Sequence, residues 1–148
     1  MKFALIAAVA GALLSVTPAF AGELEDRNTA VVVGFLETAF NRHDVPGAID
    51  QYFGPAYIQH NPNVADGRDA ALRGLSRLVA NNPQLTISIK RTIAQGDLVA
   101  AHFHQVRQPG ERGKAIVDIF RLENGRIVEH WDVIEEVPEA PVNPNGMF

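Results

Sequence analysis

Residues 118–132 read Asp-Ile-Phe-Arg-Leu-Glu-Asn-Gly-Arg-Ile-Val-Glu-His-Trp-Asp. Asn124-Gly125, flanked by residues of strand character, is a strong short-range signal for a β-hairpin, since both tolerate the positive φ of a type I′ turn. A two-residue turn sets Glu123 opposite Arg126. Counting outward pairs Leu122 with Ile127, Phe120 with Glu129, Asp118 with Trp131 and Ile116 with Val133. Directly paired residues share a face. One face then carries Ile116, Asp118, Phe120, Leu122, Ile127, Glu129, Trp131 and Val133. The other carries Val117, Ile119, Arg121, Val128, His130 and Asp132. The first is the more apolar and is assigned to the interior, which sets Asp118 beside an indole.

Upstream of this hairpin, the pattern is again that of strands. Leu85, Ile87 and Ile89 alternate with Thr86, Ser88 and Lys90, Gly96-Asp97 turns the chain, and Leu98 to Arg107 forms a second long strand. Pro109-Gly110 turns it once more into the strand from Ala115 to Glu123, and Arg126 to Ile134 is the last. The first half is helical. Apolar residues recur mostly at helical spacing between about Glu23 and Asn41. Asp44 before Val45-Pro46 caps a short second helix carrying Ile49, Tyr52 and Phe53, which Gly54-Pro55 ends. Ala56 to His60 is a brief strand, and Arg68 to Ala80 a third helix, capped by Asp66 or Asp69. Arg68, Arg73 and Arg77 read as its solvated face. Helices followed by a meander make the fold class α+β: about three N-terminal helices packed on a strongly curved mixed or antiparallel β-sheet. Such a sheet curls into a cone, and the open end of the cone is where a small-molecule pocket is expected.

At the N-terminus, Lys2, the apolar run Phe3 to Val16 and Ala19-Phe20-Ala21 have the form of a signal peptide cut after Ala21. The expected organisation is a signal peptide over 1–21, one domain over 22–138, and a Pro-rich, extended tail over 139–148 containing Pro141 and Pro144. The expected location is periplasmic or secreted, with no membrane attachment after cleavage. The chain has no cysteine, which excludes disulfides, thiolate catalysis and cysteine-ligated metal. Its formal net charge of −4, with scattered arginines, argues against a nucleic-acid partner, which calls for a basic face.

A carboxyl group in an apolar cavity resists ionisation, which suits Asp118 to proton transfer or to donating a hydrogen bond while neutral. His60 ends the first short strand within Tyr57-Ile58-Gln59-His60-Asn61-Pro62 and can reach the mouth of the cone. His102 and His104, two apart, share one face of their strand, and the loop to Lys114 leaves open which face that is. His130 is set on the face opposite Asp118, and His43 at a helix end. His102-Phe103-His104 also matches part of a cupin metal motif. The carboxylate and second motif of that family are missing, and the helical first half contradicts its fold. A His-ligated metal is the weaker reading, and neither a metal nor a cofactor is expected.

The segments Tyr57 to Pro62 with Asp66-Gly67, and Asp118 to Asp132, resemble the SnoaL-like polyketide cyclase family of the NTF2-like superfamily, which includes ketosteroid isomerase and scytalone dehydratase. The resemblance spans about Arg27 to Pro138. It implies the same cone, and metal-free acid–base chemistry through an enolate: aldol condensation or cyclisation, isomerisation or hydration of a small carbonyl-containing molecule. It also implies that Asp118 is the acid/base residue and that the protein is a homodimer. The base position of the isomerase falls near His60-Asn61-Pro62, where this chain has histidine or asparagine instead of aspartate, a departure from the isomerase pattern. The candidate catalytic residues are Asp118 with His104 or His60, and the candidate pocket residues are Tyr57, His102, Phe120, Glu129 and Trp131. A non-catalytic ligand-binding domain using the same cone is the alternative. Arg121, His130 and Asp132 are the candidate dimer contacts.

Overall fold

A computed structural model of the chain describes residues 22–148, so the expected signal peptide and its cleavage site lie outside the described residues. The Asn124-Gly125 turn forms as read: the two residues have φ of 51° and 71°, and Glu123 pairs with Arg126 and Leu122 with Ile127. The next pair departs from the count. Arg121 lies opposite Glu129, so Val128 is an extra residue in a β-bulge. From there the pairs are Phe120–His130, Ile119–Trp131, Asp118–Asp132 and Val117–Val133.

One inserted residue exchanges the two faces of the last strand. His130 and Asp132 turn inward beside Asp118, while Glu129 and Trp131 turn outward, the reverse of the face assignment made from the turn alone. The bulge is accommodated next door. A Cβ on Gly54 would stand 2.9 Å from Val128 Cγ1, so the absence of a side chain at Gly54 leaves room for the displaced valine.

The strands are β1 (Phe53–Gln59), β2 (Thr86–Gln95), β3 (Leu98–Val106), β4 (Lys114–Glu123) and β5 (Arg126–Glu136), in the order β1-β5-β4-β3-β2. All neighbours are antiparallel except β1 and β5, which are parallel, so the sheet is mixed. Strand β1 begins earlier than expected and runs through Gly54-Pro55. A proline is tolerated there because β1 is an edge strand.

Helix α1 (Glu23–Leu36) continues as a π-helical turn over Glu37–Asn41, followed by α2 (Val45–Tyr52) and α3 (Arg68–Asn81). The π turn delivers Asn41 to the other sheet edge. Its side chain donates to Ile87 O and accepts from Ile87 N–H at 3.2 and 2.8 Å, satisfying backbone groups of an edge strand. Asp44 caps α2 by accepting from Gly47 N–H at 2.9 Å, a contact worth about 1 kcal/mol. Helix α3 has Gly67 at its N-cap and no side-chain cap; Asp66 instead accepts from the backbone N–H of Gln59 at 2.8 Å and fixes the end of β1.

The core lies between the helices and the inner face of the sheet. Phe35 sits at its centre, with ring centroids 4.9 Å from Phe53, 5.8 Å from Phe120 and 6.3 Å from Phe40. The Pro-rich tail ends with Phe148 packed on His102 and His104, on the outer face of the sheet. No described helix is long and apolar enough to cross a membrane.

Candidate functional site

A cavity of about 520 Å³ lies between α3 and the inner face of the sheet, within the ordinary size range of small-molecule sites. Phe35, Phe40, Phe53, Phe103 and Phe120 give it an aromatic floor. Many of its polar groups come from the sheet: Tyr57 and Gln59 on β1 with Asn61 just after it, Gln105 on β3, Lys114 and Asp118 on β4, and His130 and Asp132 on β5. Asp118 is only 7% exposed and His130 8%.

The hydrogen bonds of Gln59 determine where protons sit. Its Oε1 accepts from the backbone N–H of Asn61 at 2.9 Å, and a backbone amide can only donate, so the orientation of the side-chain amide is settled. Its Nε2 donates to the Tyr57 hydroxyl at 3.0 Å. The same Oε1 lies 3.0 Å from His130 Nδ1, which therefore carries a hydrogen and donates. In neutral His130 the lone pair is then on Nε2, and Nε2 is 3.4 Å from Asp118 Oδ1. An ionised Asp118 facing a neutral His130 would set lone pair against lone pair. A hydrogen on the Asp118 carboxyl removes that opposition, in line with the direction in which burial pushes the group.

Burial pushes the Asp118 carboxyl up from its ordinary value, and the Asp132 carboxylate opposite adds to this, against the opposing pull of His130. Asp132 is steadied by Asn61, whose Nδ2 donates to Oδ2 at 2.7 Å. Burial also pushes the Tyr57 phenol up, helped by the carboxylates of Asp118, Asp132 and Asp66. Tyr57 therefore keeps its hydrogen, and because its oxygen already accepts from Gln59, that hydrogen is free to be donated into the cavity.

Of the residues expected in the pocket, Asp118, Tyr57 and Phe120 line the cavity. His60, His102, His104, Glu129 and Trp131 do not, and the strand geometry explains each case. His60 is three residues from Tyr57 on one strand and so faces the other way. Its ring stacks on Trp131, with centroids 4.7 Å apart and planes 7° apart, and its Nε2 is 2.8 Å from Glu129 Oε1. Glu129 also accepts from Arg121 Nε at 2.6 Å. The hydrogen bonds from His60 and Arg121 hold its carboxyl below its ordinary value. On β3 it is Val99, Ala101, Phe103 and Gln105 that are buried, so His102 and His104 are on the outer face.

The residues that sequence reasoning missed are Gln59, Asn61, Gln105, His130 and Asp132. Alternation along Tyr57-Ile58-Gln59-His60-Asn61 was the available signal for the first two. Arg73 and Arg77, read as solvated, border the cavity together with Arg107.

As for metals, His104 Nε2 is 2.6 Å from the Arg112 carbonyl, so it donates there and Nδ1 is the ring nitrogen left with a lone pair. Asp118, His130 and Asp132 each bring one potential ligand atom within 4.8 Å of the others.

A model of the SnoaL-like domain matches residues 32–130. The chain belongs to the SnoaL-like family. No curated sequence relative matches it. Solved structures share the fold. TsrD from Streptomyces laurentii superposes with a TM-score of 0.61 at 22% identity, covering 74% of this chain and 89% of that one. A proposed SnoaL-like polyketide cyclase from Jannaschia sp. gives 0.65 at 15% identity, covering 77% and 89%. An NTF2-like protein of unknown function from Mesorhizobium loti gives 0.63 at 20% identity, covering 77% and 95%. At these identities the likeness is one of fold, and the SnoaL-like cone, open at one end, is the architecture of this chain.

Proposed function

We propose that this SnoaL-like protein is an acid–base enzyme acting on a small carbonyl compound, with Asp118 and His130 as a proton-sharing pair. The observation that carries this reading is the buried Asp118 carboxyl, 3.4 Å from a His130 nitrogen whose partner nitrogen is committed to Gln59. With the shared proton on His130, the Asp118 carboxylate removes a proton from the carbon next to a carbonyl. The electron pair moves to the carbonyl oxygen, and the enolate so formed accepts a hydrogen bond from the Tyr57 hydroxyl. Return of the proton to a different carbon completes an isomerisation. Attack of the enolate carbon on a second carbonyl, with the proton held by Asp118 passed to the alkoxide so formed, completes an aldol step.

We also propose that the mature protein is exported, on the strength of residues 1–21, and that it forms a homodimer through the outer face of its sheet. Ile93, Val117, Ile119 and Val133 on that face are between 37% and 70% exposed. A row of exposed β-branched residues is the surface a second subunit would cover.

The test of the chemistry is hydrogen–deuterium exchange next to the carbonyl of aryl methyl ketones such as 2-acetylnaphthalene, followed by NMR in D2O. The mature protein should accelerate exchange, and Asp118→Asn and His130→Gln should abolish the acceleration. Undiminished exchange in either variant would remove that residue from the mechanism. Ketones that bind the unaltered protein without exchanging would make it a binding domain.

A further inference from the structure

The cavity has a charge pattern that its acid–base pair does not explain. Arg73 and Arg77 on α3 and Arg107 after β3 all border it. Cations are in the minority in this chain, with 13 Lys and Arg against 17 Asp and Glu. Lys114 borders the cavity as well but is paired with Glu136, and of the eight described cations elsewhere four face a carboxylate: Arg27 faces Glu23, Arg68 faces Asp50, Arg112 faces Glu139 and Arg121 faces Glu129. Among the described residues, no carboxylate lies within 4.0 Å of Arg73, Arg77 or Arg107. Three guanidinium groups without a carboxylate partner thus border one cavity of a chain with more acidic than basic residues. A concave, partly apolar wall focuses their field into the cavity.

Gly74, between the two helical arginines, is an independent sign. A glycine inside a helix costs roughly 0.5–1 kcal/mol relative to alanine. It is usually explained by a special φ or by close packing, and neither holds here: its φ is not positive, and an added Cβ would meet nothing within 4 Å. Gly74 lines the cavity. Its missing side chain leaves open space on the stretch of cavity wall that also carries Arg73 and Arg77.

We infer that the SnoaL-like cavity binds an amphipathic organic anion, with its apolar body on the phenylalanine floor and its anionic group at the opening, held by Arg73, Arg77 and Arg107. This rests on the reading of the cavity as the ligand site, and it adds the substrate class: a carbonyl compound bearing a carboxylate or a phosphate. Guanidinium groups suit both, since their planar forks donate two hydrogen bonds to paired oxygens. The polarity also orients the ligand. Its anionic end stays away from Asp118 and Asp132, and the carbonyl is left to face them.

The test uses the mature protein and three probes of one shape: 2-naphthoate, 2-naphthyl phosphate and methyl 2-naphthoate, with affinities from calorimetric titration. At least one anion should bind on the order of 10-fold more tightly than the ester, a difference of about 1.4 kcal/mol. A preference for the carboxylate or for the phosphate identifies the group. Arg73→Gln, Arg77→Gln and Arg107→Gln combined should bring the anion-to-ester ratio close to one, with the melting temperature retained because the three side chains are exposed. Asp118→Asn should leave the ratio high. Gly74→Leu should weaken all three probes together by filling the opening. An ester that binds as well as both anions, or an anion preference that survives the triple substitution, would overturn the inference and leave the acid–base reading standing. Failure of all three probes to bind would overturn both the anionic assignment and the use of this cavity as a ligand site. Loss of exchange activity on Asp118→Asn, with the anion preference intact, would support both readings separately.

Discussion

Replacing Asp118 by asparagine should make the protein more stable above neutral pH while abolishing its chemistry. The two side chains are isosteric, so no cavity is left. An amide nitrogen at position 118 can donate to His130 Nε2, as the protonated carboxyl does, and can face the Asp132 carboxylate without repulsion. What disappears is the cost of ionising a buried group. The sign follows from linkage. The folded-state value of Asp118 is raised by burial, so between its unfolded and folded values the native state holds a proton that the unfolded chain has released. Unaltered protein therefore loses stability as pH rises through that interval, at about 1.4 kcal/mol for each pH unit the interval spans, and Asp118→Asn does not. A net gain on the order of 1–2 kcal/mol above neutrality is the size commonly seen when a strained functional group is removed. For a chain of this length each kcal/mol raises the melting temperature by about 3–4 °C. The assay is urea unfolding of both proteins from about pH 4 to about pH 9. Their stabilities should converge at the acid end and diverge in favour of the variant at the alkaline end. A variant that is less stable at high pH, or a difference that ignores pH, would refute the shared proton. Asp118 would then be a carboxylate stabilised by its surroundings.

His60→Ala should leave ketone exchange within about twofold, whereas His130→Gln should lower it by about 100-fold or more, the usual worth of a positioned acid–base group; parallel exchange assays decide this. Gly74→Ala should raise stability by about 0.5–1 kcal/mol in urea unfolding, since its Cβ enters open space. Val133→Arg should shift the protein from dimer to monomer in light scattering if the outer face is the subunit contact, with unchanged circular dichroism showing that the fold is kept. Phe35→Ala should cost about 3–5 kcal/mol, because its ring meets three others in the core.

Element order, the hairpin turn, the α2 cap and the helical and strand spans other than that of β1 were legible in the sequence because each rests on local chemistry. Asn124-Gly125 permits one turn type, and Asp44 with Pro46 permits one helix start. Asp118 was legible as well, since Ile116, Phe120 and Leu122 at alternate positions place it on a buried face. Its partner was not. His130 faces Asp118 only because Val128 is spent in a bulge, and that bulge depends on a glycine in a strand distant in sequence. The wrong emphasis on His60 had a different origin. Tyr57 and His60 were both assigned to the pocket, although an odd spacing on one strand sends them to opposite faces. Arg73 and Arg77 are exposed, as the helix pattern indicates, but that pattern cannot report that an exposed polar edge also borders a cavity.

The bulge at Val128 has a bearing on how relatives of this chain are compared. A relative in which β5 lacks the extra residue is one position out of phase from Glu129 onward, and an ungapped alignment would equate its inward residue with Trp131 and its outward one with His130. Roles transferred between such proteins by column would then go to the wrong side of the sheet. The strand has in effect two frames, and the gain or loss of one codon would trade the imidazole and carboxylate of the interior for the indole and carboxylate outside, with every residue type in the segment unchanged.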